Sequence, residues 1–370
     1  MHRIEHSLPW STPGTERRLT LFAFGQGPRK AYIQAALHAD ELPGMRVAAE
    51  LRGRLAELEE AGRLLGRVEL VPVANPIGLA QVIQGTHQGR FDFASGRNFN
   101  RDFPDLASLV IPTIERHLGQ DADHNARLLR EAMADALGQL PPPASPLEGL
   151  QRLLLRHACT ADLVLDLHCD FESVLLLYAL PQVWPALRGL AAHLRARVAL
   201  LAEDSGGFSF DEACAGPWLK LAAAFPGHPI PQACVAATLE LGGMADTEPD
   251  RAGHSAEAIL AFLAREGFID GEWPEEPEQD CLALPFAGAE YAYAPHTGVV
   301  SYLQPLGARV CPGDPLFEVI DPLSGQRSVV RASTTGILYA RERLRFAQPG
   351  LWLAKVAGAS PIRSGRLLSD

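Results

Sequence analysis

The sequence predicts an α/β protein with a mixed, mostly parallel sheet flanked by helices, followed by a smaller all-β domain. Three observations carry this. Short, wholly apolar runs alternate with longer stretches that are apolar every third or fourth residue, the rhythm of doubly buried strands and their connecting helices. The rhythm stops at residues 273–280, an acidic, Pro-containing segment with the texture of a linker. Beyond it, short β-like runs are punctuated by Gly and Pro. The expected division is 1–272 for the α/β domain, 273–280 for the linker and 281–370 for the β domain.

Within the first part, strand-length runs lie at 19–24, 31–37, 68–74, 163–167, 174–179, 198–202 and 234–239. Helical patterns lie at 43–60, 184–197, 211–225 and 255–266; in the first of them Val47, Leu51, Leu55 and Leu58 share a face. Residues 105–159 interrupt the alternation with helical patterns only (114–118, 125–137, 147–157) and a Pro141-Pro142-Pro143 break. This is expected to be a helical insertion beside the sheet, with shaping of site access and a plain structural role both open.

In the last part the segment from Ala294 resembles that from Ala332, and Val310 onward resembles Phe346 onward, about 38 residues apart. Two similar hairpin units pairing into a small sandwich are expected. The pattern resembles the biotinyl/lipoyl type of β-sandwich. A carrier domain needs a lysine at its hairpin tip, and none lies between Lys220 and Lys355. A swinging-arm role is therefore rejected, leaving a structural or site-covering one.

The 370 residues carry 33 basic and 44 acidic side chains, a formal charge of −11. That balance argues against nucleic acid as a partner. No run approaches the ~20 apolar residues of a membrane span, and residues 1–20 lack the apolar centre of a secretory signal. The six cysteines include no CxxC pair and read as reduced thiols in a cytoplasmic protein. A small-molecule substrate is expected, and the edges of a β-sandwich offer surfaces for a homo-oligomer.

In open α/β sheets, ligands bind beyond the carboxyl ends of the strands. The run 31–37 ends in His38, with Asp40 and Glu41 just after; 163–167 ends in His168; 234–239 ends in Glu240. Two neutral imidazoles and a carboxylate suit a single Zn²⁺ with its fourth position open to water, so His38, Glu41 and His168 are the expected ligands. Glu240 is a candidate base for that water. The bland alternative for each is a satisfied residue at a strand end; convergence of several at one sheet edge weighs against it. A second cluster, Gly89 to Pro104, holds Arg90, Arg97 and Arg101 with Asn98 and Asn100. The planar fork of arginine suits a carboxylate ligand, although such a stretch is otherwise read as a solvated loop.

His38-Ala39-Asp40-Glu41, Asn98-Phe99-Asn100-Arg101-Asp102-Phe103-Pro104, Asp166-Leu167-His168 and Glu240-Leu241-Gly242-Gly243 occur in that order. Together they resemble the succinylglutamate desuccinylase/aspartoacylase family, within the zinc carboxypeptidase fold, over nearly the whole chain. The resemblance implies Zn²⁺ on His38, Glu41 and His168, and Glu240 as base and then proton donor. It implies Asn100 and Arg101 on the substrate carboxylate. An arginine polarises the scissile carbonyl in this family, Arg90 by spacing with Arg97 as runner-up. A late tyrosine, Tyr291 or Tyr293, closes the site. The implied activity is a zinc-dependent amidohydrolase, a deacylase of small N-acyl amino acids or related amines. A metallocarboxypeptidase and a non-catalytic zinc or metabolite binder are the alternatives. Both family namesakes take small acidic substrates, and the long helical segment 105–159 departs from the compact aspartoacylase pattern.

Overall fold

A computed structural model describes residues 1–370 except 12, 279 and 369–370. Nine strands form the main sheet: β1 (His2–Ser7), β2 (Arg18–Phe24), β3 (Lys30–Ala35), β4 (Arg67–Val71), β5 (Leu163–Asp170), β6 (Leu175–Ala179), β7 (Val198–Leu201), β8 (Val235–Gly243) and β9 (Leu282–Pro285). Their spatial order is β1-β2-β4-β3-β5-β8-β6-β7-β9. Pairing is parallel for β4/β3, β3/β5, β5/β8, β6/β7 and β7/β9 and antiparallel elsewhere. The mixed, mostly parallel sheet is thus as expected. Every residue of β5 is buried, which is why the central runs read as unbroken apolar stretches.

The longer helices are α1 (Leu42–Glu60), α2 (Leu106–Ile114), α3 (Ala122–Gln139), α4 (Pro146–Ala158), α5 (Trp184–Leu194), α6 (Phe210–Ala224) and α7 (Pro249–Arg265). On α1 the buried face is Val47, Leu51, Leu55 and Leu58, as the periodicity implies. Side chains of Asp121 and Ser145 cap α3 and α4, and Ser209 with Glu212 forms a capping box on α6. The expected helical insertion is present as α2, α3 and α4. It supports the Arg-rich loop from behind: Gln151 Nε2 on α4 donates to the carbonyls of Phe99 (3.2 Å) and Arg101 (2.7 Å).

The last part contains β10 (Ala289–Tyr293), β11 (Gly298–Tyr302), β12 (Arg309–Val310), β13 (Pro315–Ile320), β14 (Arg327–Arg331), β15 (Gly336–Arg341), β16 (Phe346–Ala347) and β17 (Trp352–Gly358). They form two sheets, β10-β17-β15-β12 and β14-β13-β11-β16. A shared apolar cluster draws Val300, Phe317 and Val319 from one sheet and Leu338, Leu353 and Val356 from the other. The internal repeat is real but interlocked. β11 of the first unit pairs with β16 of the second, and β12 pairs with β15.

The expected boundary at 281 needs correcting. Residues 282–285 are β9, the outer strand of the main sheet, so the α/β sheet ends beyond the linker-like segment. Glu172–Ser173 conversely pairs with β15. The tail returns as well, with Leu367 N donating to Ser205 O at 2.8 Å. Phe286, Ala289, Ile337, Tyr339 and Leu367 share a core with Leu176, Val198 and Leu200 of β6 and β7. Four-residue strands whose partners lie some 80 residues away leave no local signal. β1, which pairs antiparallel with β2 at the opposite edge, was also missing from the expectation. Its alternation of exposed and half-buried residues is weak.

A buried ion cluster ties α4 to the sheet. Glu69 on β4 accepts from Lys30 Nζ (2.9 Å), His157 Nδ1 (3.1 Å) and Arg67 Nη2 (2.5 Å), and its side chain is 2 % exposed. Burial alone would raise this carboxyl, but the hydrogen bonds and charges of His157 and Lys30 outweigh it and hold it at about 2. Because the folded value lies below the ordinary 4.5, the cluster stabilises the fold fully above that pH. Its contribution fades as pH falls toward and through 2, with a ceiling of about 3 kcal/mol. Glu69→Gln is therefore expected to lower the urea midpoint at pH 7. The gap between variant and wild type should narrow as pH falls below 4.5 and close at about pH 2 or below; a gap independent of pH would contradict the assignment.

Candidate metal centre and active site

Strand register brings the polar residues together. His168 on β5 and Glu240 on β8 are direct cross-strand neighbours, so their side chains leave the same face. Gln34, Asp166 and Thr238 form the next row back on β3, β5 and β8. His38 and Glu41 lie in the turn from β3 into α1, with Glu41 at the N-cap. That turn is tight. Ala36 holds φ +60 while fully buried, a conformation costing about 1–3 kcal/mol that the surroundings must impose. Gly89 lies against the same turn: a Cβ there would come within 2.2 Å of Asp40 N. Gly44 lets the start of α1 meet the Leu167 carbonyl, where a Cβ would stand at 2.6 Å. Asp102 (φ +57) and Phe208 (φ +47) are further left-handed residues, on the two segments that frame Arg101.

Glu41 sits between the two histidines. Its Oε1 is 2.8 Å from His38 Nδ1 and its Oε2 is 2.8 Å from His168 Nδ1. The opposite ring nitrogens are held from outside. His168 Nε2 donates to Asp166 Oδ2 (2.9 Å), whose Oδ1 accepts from Gln34 Nε2 (3.0 Å), and Tyr32 Oη donates to Gln34 Oε1 (2.9 Å). His38 Nε2 donates to Asn98 Oδ1 (2.8 Å), an oxygen identified by the Asn100 N–H that also points at it (2.8 Å). With both Nε2 positions holding hydrogens, both Nδ1 lone pairs face the Glu41 carboxylate. Three acceptors converging on one buried point, all within 4.8 Å of one another, could hold a cation.

The electrostatics agree. Burial and the Arg90 guanidinium push His38 down to about 4, so it is a neutral donor. Burial opposes charge on Glu41, yet His38 and His168 hold it well below the carboxylate range. Burial also works against a charged His168, but the carboxylates of Asp166 and Glu41 raise it well above its ordinary value. A proton favoured on His168 would stand where a cation would bind, and metal binding would displace it.

Around this centre opens a cavity. Of the residues singled out in the sequence, His38, Glu41, Arg90, Asn100, Arg101, His168, Glu240 and Tyr291 all line it. Arg90 Nη1 donates to His38 Nδ1 (3.2 Å), and Nη2 is 3.7 Å from Glu41 Oε1. Asn100 Oδ1 accepts from Phe210 N at the start of α6 (2.8 Å), which leaves its amide nitrogen 3.5 Å from His168 Nε2. Arg101 Nη1 donates to the Asn100 carbonyl (2.6 Å). Burial, with Arg90 and Arg366 nearby, lowers Arg101 to about 10. Glu240 Oε2 is buried with no hydrogen-bond partner among the described residues. Burial and the carboxylates of Glu41 and Asp170 push Glu240 up to about 8, against the pull of His168 and Lys355.

Arg97 does not join them. Its half-exposed guanidinium pairs with Asp102 at 3.4 Å. The runner-up for carbonyl polarisation is thus displaced from the cavity, and Tyr293, half exposed, is outside it too. Three contributors were not foreseen. Asp166 and Asn98 orient the histidines; each lay inside a quoted motif, but nothing distinguished it there. Lys355 on β17 is buried in the cavity wall, its Nζ 2.7 Å from Asp170 Oδ2 and 4.1 Å from the Trp352 ring centre. A lysine at the centre of an otherwise apolar strand was the available signal.

The catalytic-domain model of succinylglutamate desuccinylase/aspartoacylase matches residues 28–265. The chain belongs to the succinylglutamate desuccinylase/aspartoacylase family. A family protein from Shewanella amazonensis is 28 % identical, covering 96 % of this chain and 98 % of its own, with a TM-score of 0.84. One from Shewanella frigidimarina shares the fold at 24 % identity, 96 % and 97 % coverage and a TM-score of 0.83. The product-bound ectoine utilization protein EutE (DoeB) of Ruegeria pomeroyi shares it at 19 % identity, 96 % and 95 % coverage and a TM-score of 0.68. No curated protein matches the chain.

His168→Ala is expected to abolish divalent-metal retention, read by elemental mass spectrometry. Asp166→Asn keeps all three donors but loses the acceptor that fixes His168, and should weaken metal affinity about 10–100-fold. Unchanged affinity in Asp166→Asn would remove the orienting role.

Proposed function

We propose that this protein is a zinc-dependent amidohydrolase that removes the acyl group from a small N-acyl amino acid or related amine. The observation carrying this is Glu240: a carboxylate whose buried Oε2 has no hydrogen-bond partner among the described residues, beside a His-Glu-His group that could hold a cation, in a family named for deacylases. Two histidines and one carboxylate are the donor set of an open catalytic zinc, which when bound supplies a Lewis acid that acidifies water and polarises an amide carbonyl.

The chain's own groups do the rest. Glu240 takes the proton of the attacking water and returns it to the leaving amine. A carboxyl held near neutrality suits both tasks, and the repulsion from Glu41 that raises it diminishes once a dication shares that carboxylate. Arg90, at the edge of the metal cluster, is positioned to hold negative charge developing on the carbonyl oxygen. Asn100 and Arg101 hold the substrate carboxylate, with Arg101 supplying a fork of charge-assisted hydrogen bonds. Tyr291, on β10 above the cavity, belongs to the closing wall. The six free thiols and the absence, among the described residues, of a helix long and apolar enough to cross a membrane accord with a cytoplasmic enzyme.

Glu240→Gln keeps shape and metal ligands while removing the proton acceptor. It is expected to lower kcat by about 10²–10⁴-fold with metal content unchanged. Retention of more than a tenth of wild-type activity at full metal loading would remove Glu240 from this role.

A further inference from the structure

Lys355 is a buried cation with no part in the proton transfers assigned to Glu240. It stands on β17 and pairs across to Tyr291 on β10, so the two side chains leave the same face, and both line the cavity. Its strand neighbours Leu353, Ala354, Val356 and Ala357 are buried and apolar, and Lys355 itself is 4 % exposed. Nζ donates to Asp170 Oδ2 at 2.7 Å and lies 4.1 Å from the ring centre of Trp352 and 5.3 Å from that of Tyr291. Both rings are held in turn: Trp352 stacks on Phe171 at 5.6 Å, and the Arg363 guanidinium lies 4.1 Å over Tyr291. Asp170 is fixed as well, its Oδ1 accepting from Phe171 N at 2.8 Å.

An ammonium has three N–H donors. Among the described residues, Asp170 Oδ2 is the one hydrogen-bond acceptor that Lys355 meets. Glu240 lines the same cavity, but its buried Oε2 has no partner, so Lys355 does not donate there. Burying an ammonium with incomplete hydrogen bonds is costly, and an apolar side chain would pack against the same rings without that cost. The aromatic faces offset part of it, but they do not supply the missing acceptors. The wall therefore presents a firmly held donor to the cavity.

Strand geometry sets its distance from the chemistry. His168 and Asp170 are two apart on β5 and face the same side, a spacing of about 7 Å. Lys355, bonded to Asp170, thus lies one row outward from His168. Acceptor atoms a few bonds from a carbonyl held at His168 come within its reach.

Resting on the deacylase reading, we propose that Lys355 is a substrate-binding residue. It donates to an oxygen of the substrate other than the scissile carbonyl and the carboxylate assigned to Asn100 and Arg101. That oxygen belongs to a carbonyl or carboxylate on the acyl or the amine portion. Asp170 and the two rings position the ammonium for this contact.

The test uses full-length zinc-loaded protein, wild type beside Lys355→Met, following amine release from N-acetyl-alanine, N-acetyl-asparagine, N-acetyl-aspartate and N-succinyl-alanine. The last three add an oxygen acceptor that is uncharged on the amine portion, charged on the amine portion and charged on the acyl portion, respectively. At least one of them should exceed N-acetyl-alanine in wild-type kcat/KM. Lys355→Met should lower that ratio at least about tenfold, the substrate affected identifying the source of the oxygen. An ion pair that only joins the two portions of the chain would lower all four substrates alike, and an unmoved ratio would overturn the proposal. So would a wild type for which none of the three exceeds N-acetyl-alanine, with the deacylase reading left standing. If Lys355→Met does not fold, Asp170→Asn/Lys355→Met, which leaves no buried charge without its partner, is read in the same way. Turnover of no substrate by the wild type would instead count against the deacylase reading. Thermal shifts with the three oxygen-bearing compounds then decide the site: stabilisation of the wild type but not of the variant supports the proposal, and equal stabilisation of both, or of neither, overturns it.

Discussion

Two histidines offering their Nδ1 lone pairs to the same carboxylate is the constraint around which the molecule is built. Left alone it is unfavourable, since three acceptors face one another out of water. A cation relieves it; a proton on His168 relieves it in part. Keeping the acceptors turned inward requires both Nε2 atoms to be occupied from behind, by Asp166 and Asn98. It requires a turn at Ala36 to 41 in a conformation that a free peptide avoids, braced by Gly89 and by the close approach of Gly44. The central strands provide the rigidity: the row Gln34–Asp166 lies one step behind the row His168–Glu240, so the supporting hydrogen bonds follow from strand register.

The parts of this arrangement legible in sequence were those that end strands. His38, His168 and Glu240 each follow an apolar run, and strand ends are where an open sheet places chemistry. Glu41 was legible as the carboxylate three residues after His38, and the roles of the Asn100-Arg101 pair through motif resemblance. What stayed hidden depended on neighbours distant in the chain. Asn98 is recognisable as a histidine's partner only once the loop is folded against β3. Lys355 meets Asp170 across 185 residues, and of Arg90 and Arg97, chemically alike seven positions apart, only the first lines the cavity while the second pairs with Asp102 outside it. The same holds for the fold. Long, doubly buried strands announced themselves, whereas β9 became part of the main sheet through pairing with β7 that no local pattern encodes.

The β-rich portion is joined to the α/β portion at several kinds of contact. A strand is shared at β9, a two-residue bridge runs from Glu172–Ser173 to β15, and Arg341 pairs with Glu172 at 2.8 Å. Lys355 and Tyr291 reach from it into the cavity. The lysine that could never serve as a swinging arm is instead fixed by Asp170 and by the ring of Trp352. One polypeptide unit thus supplies the His38–Glu41–His168 group and the other supplies part of the cavity wall.

The tail segment that reaches Ser205 has a consequence for biosynthesis. Synthesis proceeds from the N-terminus, so the His38–Glu41–His168 cluster is complete 200 residues (368 − 168) before Leu368 exists. The three donors are therefore synthesised before the tail that lines the cavity beside them, so the innermost part of this wall is also the last part of it to be made.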